Sequence, residues 1–124
     1  MEKLTPLMVR KDDRGTLTHI ITFNGIDLNK FEVKEGHIVG GHFHKLTHEV
    51  FHVISGLVSV FSAPKGAKEA IIKEYKPGES FTIGPYDWHY VQAVSDSTLI
   101  VLLEPPYDKD CPDVYEGKSL EGIN

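Results

Sequence analysis

The chain has 124 residues, 40% of them hydrophobic and 25% charged, a formal net charge of −5 and one cysteine, Cys111. That length suits a single domain burying one core without staples, and the composition lies outside the disordered and membrane classes. No run of Lys or Arg exceeds two residues, which argues against nucleic acid and anionic membranes as partners, and a lone cysteine agrees with a reducing compartment.

The first fifteen residues, MEKLTPLMVRKDDRG, hold no apolar h-region, and no stretch approaches the ~18 apolar residues of a spanning helix, so a cytoplasmic protein is expected. From there short runs with period-two apolar alternation follow one another: TLTHIITF (16–23), HEVFHVIS (48–55), LVSVFS (57–62), AIIKEY (70–75), SFTIG (80–84) and STLIVLL (97–103). Between them fall DDRG, FNG, KEG, SAPKGAK, KPGES and GPYD, turn chemistry at the intervals of a sandwich or barrel. The pattern predicts an all-β domain over residues 1–104, with Phe51, Val53, Phe61, Phe81, Ile83, Val91, Ile100 and Leu102 as core and pocket wall. Residues 105–124 change character: three prolines, many acids and little periodicity. They read as a C-terminal arm of the same domain, either loosely packed or laid over an open end of the barrel or a second subunit, with Tyr107, Val114, Tyr115 and Leu120 as its anchors.

Five of the seven histidines fall between Gly36 and Gly56, in GHIVGGHFHKLTHEVFHVISG. If one strand ends in this stretch and HEVFHVIS returns, His42 and His44, two apart, share a face. On the return strand Glu49 shares parity with Phe51 and Val53 and therefore faces inward, while His48 and His52 face away. A buried unpaired glutamate is costly, and a divalent cation compensates it. A further ligand is expected from His89, whose inward parity takes Val91 and Ala93 with it. His42, His44, Glu49 and His89 are thus the predicted ligands of one metal ion. His19 and His37 carry no spacing signal.

These residues resemble the cupin superfamily. Its first motif, G-x5-H-x-H-x3/4-E-x6-G, is matched by Gly36, His42, His44, Glu49 and Gly56. The second, G-x5-P-x-G-x2-H-x3-N, keeps Gly78 and His89, but Gly84, Tyr86 and Ala93 stand where the motif has proline, glycine and asparagine. The resemblance implies a single-domain jelly-roll β-barrel, a homodimer for which outward Val50 and Ile54 are candidate contacts, and a three-His, one-carboxylate site for manganese, iron, nickel, cobalt or zinc. Such an N3O set suits borderline metals and leaves positions open for a small-molecule ligand. A second likeness, DDRGTLTHI (12–20), is to cupins that isomerise or epimerise nucleotide sugars, and it singles out Arg14 as a phosphate or sugar contact. Tyr86 and Trp88, beside His89, and Phe51 on the pocket wall complete the expected substrate-binding set.

The leading expectation is a metal-dependent isomerase or epimerase acting on a small sugar, sugar phosphate or nucleotide sugar by Lewis-acid catalysis. The alternatives are an iron-dependent small-molecule dioxygenase, a non-catalytic ligand-binding cupin, and a structural sandwich with a fortuitous cluster. No residue presents itself from the sequence as the catalytic acid or base.

Overall fold

A computed structural model describes residues 1–116; Leu120, with the rest of 117–124, lies outside the described residues. Among the described residues eleven strands follow one another: β1 (Met8–Asp12), β2 (Gly15–Phe23), β3 (Ile26–Val33), β4 (Ile38–Phe43), β5 (His48–Ser55), β6 (Val58–Ala63), β7 (Ile71–Tyr75), β8 (Ser80–Ile83), β9 (Trp88–Ala93), β10 (Ser97–Glu104) and β11 (Tyr115–Glu116). They form two antiparallel sheets, ordered β1-β2-β3-β10-β5-β8 and β11-β4-β9-β6-β7. The fold is all-β, as the turn spacing predicts, with the two-sheet architecture of the jelly roll that the resemblance implies.

The sheets meet through alternate side chains. Phe51 and Val53 from β5, Phe81 and Ile83 from β8, and Leu99 and Val101 from β10 pack against Val58, Val60 and Val91 of the other sheet. Phe51 and Phe81, directly opposite in the β5–β8 ladder, stack with ring centroids 4.8 Å apart. Residues on the outward parity of β5, among them His48, Val50 and Ile54, are exposed.

Three expected core residues lie elsewhere. Ile100 is only half-buried and Leu102 is exposed, while Leu99 and Val101 are buried in their place. The β10 run is apolar on both faces, so alternation alone does not choose its register. The ladder chooses it, setting Leu99 opposite Val53 and Val101 opposite Phe51. Phe61 stacks on Tyr90 at 4.3 Å, both half-buried, on the parity opposite to buried Val60 and Val91.

Beyond β10, residues 105–116 are tied back to both sheets. The Tyr107 backbone N–H donates to Asp27 of β3 at 2.8 Å, and Tyr115 and Glu116 pair with Phe43 and His42 of β4. Tyr115 also stacks on Phe43, ring centroids 5.4 Å apart.

Candidate metal centre

His42 reaches the interior because β4 contains a bulge. Val39 faces Val91 and packs on the core, Gly40 pairs with Tyr90, and the next paired residue is His42, opposite His89. Strict alternation from Val39 would send position 42 outward. The extra residue, Gly41, reverses the parity. Gly40 and Gly41 adopt φ of +95° and +88°, the left-handed region that side chains disfavour, and a Cβ on Gly40 would lie 3.0 Å from the His89 carbonyl oxygen. The two glycines thereby bring the two imidazoles together edge to face, ring centroids 4.8 Å apart.

His44, Glu49 and His89 complete the cluster, all three buried. One ligand atom from each of the four residues lies within 4.8 Å of the others. His44 Nδ1 contacts the backbone carbonyl of Asp113 at 2.6 Å, and His89 Nδ1 that of Asp87 at 2.9 Å. A carbonyl only accepts, so both Nδ1 atoms carry the proton and, in the neutral rings, both Nε2 atoms carry lone pairs. Those lone pairs face Glu49 Oε1, at 2.8 Å from His44 and 3.1 Å from His89. Acceptors aimed at an acceptor require a proton or a cation among them. Three imidazole nitrogens and one carboxylate oxygen converging in this way fit a divalent borderline metal.

The electrostatics of the cluster express the same conflict. Burial, reinforced by the neighbouring His89 and His44, lowers the His42 pKa from 6.5 to about 4. Burial opposes charge on His44 as well and is the largest single effect, yet the hydrogen bond to Glu49, the Glu49 charge and the contacts with Asp113 together outweigh it and raise the pKa. For Glu49 burial favours the neutral acid, but the hydrogen bonds from His44 and His89 prevail and hold the pKa near about 2.

The backbone grips His44 from two directions. Its own carbonyl accepts the Tyr86 N–H at 2.6 Å, and its ring is held by Asp113. The Asp113 carboxylate in turn accepts the N–H groups of Lys45, Leu46 and Thr47 and the Thr47 hydroxyl, at 2.8 to 3.0 Å. One side chain thus caps the whole turn between His44 and Glu49, and these bonds keep its pKa low against the opposing effect of burial. No spacing rule in the sequence points to Asp113; its contacts span 66 to 69 positions.

The four residues open on a cavity of about 790 Å3 lined by both sheets and by the segment after β10. Arg14 and Phe51 line it. Arg14 is engaged by Asp12, with the guanidinium Nη2 2.7 Å from Oδ2. Tyr86 and Trp88 do not line it. Trp88 is buried and meets Tyr90 edge-on, and Tyr86 stacks on Phe43. Tyr86 adopts φ of 65° at the position where the second motif has glycine, so the loop keeps a left-handed turn without the residue that favours it. Polar residues not anticipated as part of a site also line the cavity, among them His19, Asp27 and Asn29. For Asp27 and Asn29 the sequence signal is a pair of polar residues on a single parity of IDLNKFEV.

A family model described as Cupin matches residues 19–109. No curated protein matches the chain. Among solved structures, the chain is similar to the capsular polysaccharide assembling protein CapF from Staphylococcus aureus, with 26% identity and a TM-score of 0.82, covering 90% of this chain and 34% of CapF. The chain therefore spans about a third of the length of that relative. Its fold is also similar to KdgF from Halomonas sp., at 17% identity and a TM-score of 0.70, covering 84% of this chain and 93% of that one. A variant of oxalate decarboxylase from Bacillus subtilis is similar in fold at 17% identity and a TM-score of 0.73, covering 88% and 30% of the two chains. Both histidine motifs, Gly36 to Gly56 and Gly78 to Ala93, lie inside the matched segment and on the shared two-sheet fold, and the chain belongs to the cupin family.

Proposed function

We propose that the protein is a metal-dependent isomerase or epimerase of a small sugar, sugar phosphate or nucleotide sugar. The observation that carries this reading is the convergence of His42, His44, His89 and Glu49 on one wall of a cavity of about 790 Å3, a size that accommodates such ligands. The likeness to a capsular polysaccharide assembling protein supports a carbohydrate ligand.

His42, His44, His89 and Glu49 would hold the ion. A divalent metal bound there supplies Lewis acidity towards substrate oxygens. The chain's own groups prepare the site for it. The Asp113 and Asp87 carbonyls fix the ring orientations of His44 and His89, and Glu49 contributes the compensating charge. Val39, Phe51, Val91 and Leu103 make an apolar wall that limits water. Arg14 is the anion-facing group in this reading, and a substrate phosphate reaches it by taking the place of the Asp12 carboxylate. A homodimer through exposed Val50 and Ile54 is part of the proposal and is checked by light scattering.

Elemental analysis of the wild type, His42→Ala and His89→Ala tests the site. Near-stoichiometric metal in the wild type and its loss in both variants is the expected result, and equal metal in all three would sink it. Conversion of a sugar-phosphate panel by the manganese- or zinc-loaded protein is expected. Oxygen uptake by the ferrous form in place of that conversion would favour a dioxygenase.

A further inference from the structure

His19 and Asp27 form a dyad on the cavity wall, separate from the metal cluster. His19 Nε2 lies 3.0 Å from Asp27 Oδ1, and the Thr22 hydroxyl bonds to the same oxygen. His19 Nε2 is also 3.0 Å from the Thr22 hydroxyl, and the Tyr107 N–H holds the other carboxylate oxygen at 2.8 Å. Asp27 is 1% exposed, whereas the His19 side chain keeps 21% of its surface open, and both line the cavity that holds the four proposed ligands.

The backbone is shaped for this pairing. The β2–β3 ladder shifts register between His19 and Ile21, so that His19 pairs with Asn29 while Thr22 pairs with Asp27. Residues three apart in a regular strand point to opposite faces; the bulge brings His19 and Thr22 to one carboxylate. Asp27 is opposite Leu103, and Leu103 is opposite Glu49, which puts the two carboxylates in one row, two strand spacings or about 10 Å apart at the backbone. Beside them Asn29, 9% exposed, buries an amide oxygen with no hydrogen-bond partner among the described residues. A substrate hydroxyl would satisfy it.

We infer that His19 is the general base of the reaction, oriented by Asp27; this rests on the isomerase reading above. The carboxylate accepts the Nε2–H, which leaves Nδ1 as the ring nitrogen with a free lone pair. Nδ1 takes the proton from the carbon next to the substrate carbonyl, and the C–H electron pair becomes that of the enediolate. The imidazolium, stabilised by Asp27, then returns the proton to the substrate and the neutral ring is restored. No oxidant or co-substrate is consumed.

The test is solvent exchange in D2O with ribulose 5-phosphate, fructose 6-phosphate and dTDP-4-keto-6-deoxyglucose, read by mass spectrometry, on zinc- and manganese-loaded full chain. The wild type is expected to incorporate deuterium, and His19→Gln to slow it by about 10²- to 10⁴-fold with metal content unchanged. Asp27→Asn should slow it too, a second route if His19→Gln folds poorly. Imidazole 15N shifts of the zinc-loaded wild type should report the Nε2–H tautomer of His19. Exchange at the wild-type rate in His19→Gln, or an Nδ1–H tautomer, overturns this inference and leaves the isomerase reading standing. A metal-loaded wild type inert towards all three compounds overturns both.

Discussion

His42 and His89 sit directly opposite each other across the β4–β9 ladder, and Gly41, the residue skipped by that ladder, is what allows it. Its φ of +88° is one that an alanine reaches only at a cost of about 1–2 kcal/mol. Gly41→Ala should therefore lower stability by about that amount and, as the bulge relaxes, weaken metal binding. Gly66→Ala, at φ +82° in the β6–β7 connection, is the control: a comparable stability loss with metal affinity intact. Denaturant midpoints and chelator competition separate the two effects, and equal metal affinity in both variants would contradict the role given to Gly41.

Asp113 supports the turn between two proposed ligands through four hydrogen bonds from its carboxylate. Replacing it with alanine leaves three backbone donors to water and frees the carbonyl that orients His44. Metal affinity should fall by about 10- to 100-fold, as for other residues that orient ligands, and stability by about 1–3 kcal/mol. An unchanged dissociation constant by competition titration would show that the His44 ring is held without it.

With the metal removed by chelator, His42 makes stability depend on pH in a defined direction. Its folded pKa of about 4 lies below the ordinary 6.5, so between those values the unfolded chain binds a proton that the folded one does not. Stability accordingly falls as pH drops from about 6.5 towards 4 and levels off below. His44, whose pKa is raised, acts oppositely: its contribution is complete below its unfolded value and is lost as pH rises through the folded one. Comparing wild type with His42→Gln cancels the His44 effect. The urea midpoint should fall further, or rise less, from pH 7 to pH 5 in the wild type than in the variant, and the opposite order would reverse the assignment.

Phe51 joins the core to the cavity. It stacks on Phe81, meets Phe31 edge-on with centroids 6.4 Å apart, and is 2% exposed two residues from Glu49. Phe51→Ala should cost about 3–5 kcal/mol in a denaturation experiment. A loss below 1 kcal/mol would mean that the site collapses without leaving a hole.

The parts of the fold legible in the sequence are those where apolar alternation and burial agree. β5 shows it: Glu49, Phe51 and Val53 are buried and His48, Val50 and Ile54 exposed. β3 escapes the alternation pattern because two of its inward positions are Asp27 and Asn29, polar residues that face the cavity. There the local pattern yields to the demands of the site. β1 carries no such pattern because all five of its residues are exposed. At the metal cluster, spacing selected the four residues that converge, but the bulge that turns His42 inward is a backbone event that a count of two cannot reveal. Tyr86 and Trp88 were expected beside the ligand as neighbours of His89 in sequence. Adjacent residues on a strand face opposite ways, and the left-handed turn at Tyr86 carries its ring onto Phe43.

The partner of the His44 ring lies 69 residues downstream. Synthesis from the N-terminus therefore delivers all four ligands, and every strand through β10, before the carbonyl that fixes one of those ligands has left the ribosome. A nascent chain that ends short of Asp113 presents His44 on an uncapped turn, with its imidazole lacking one of its two partners. Metal acquired at that stage meets a looser set of donors than the chain offers once Asp113 has emerged, so the centre is completed only after β1 to β10 have been made.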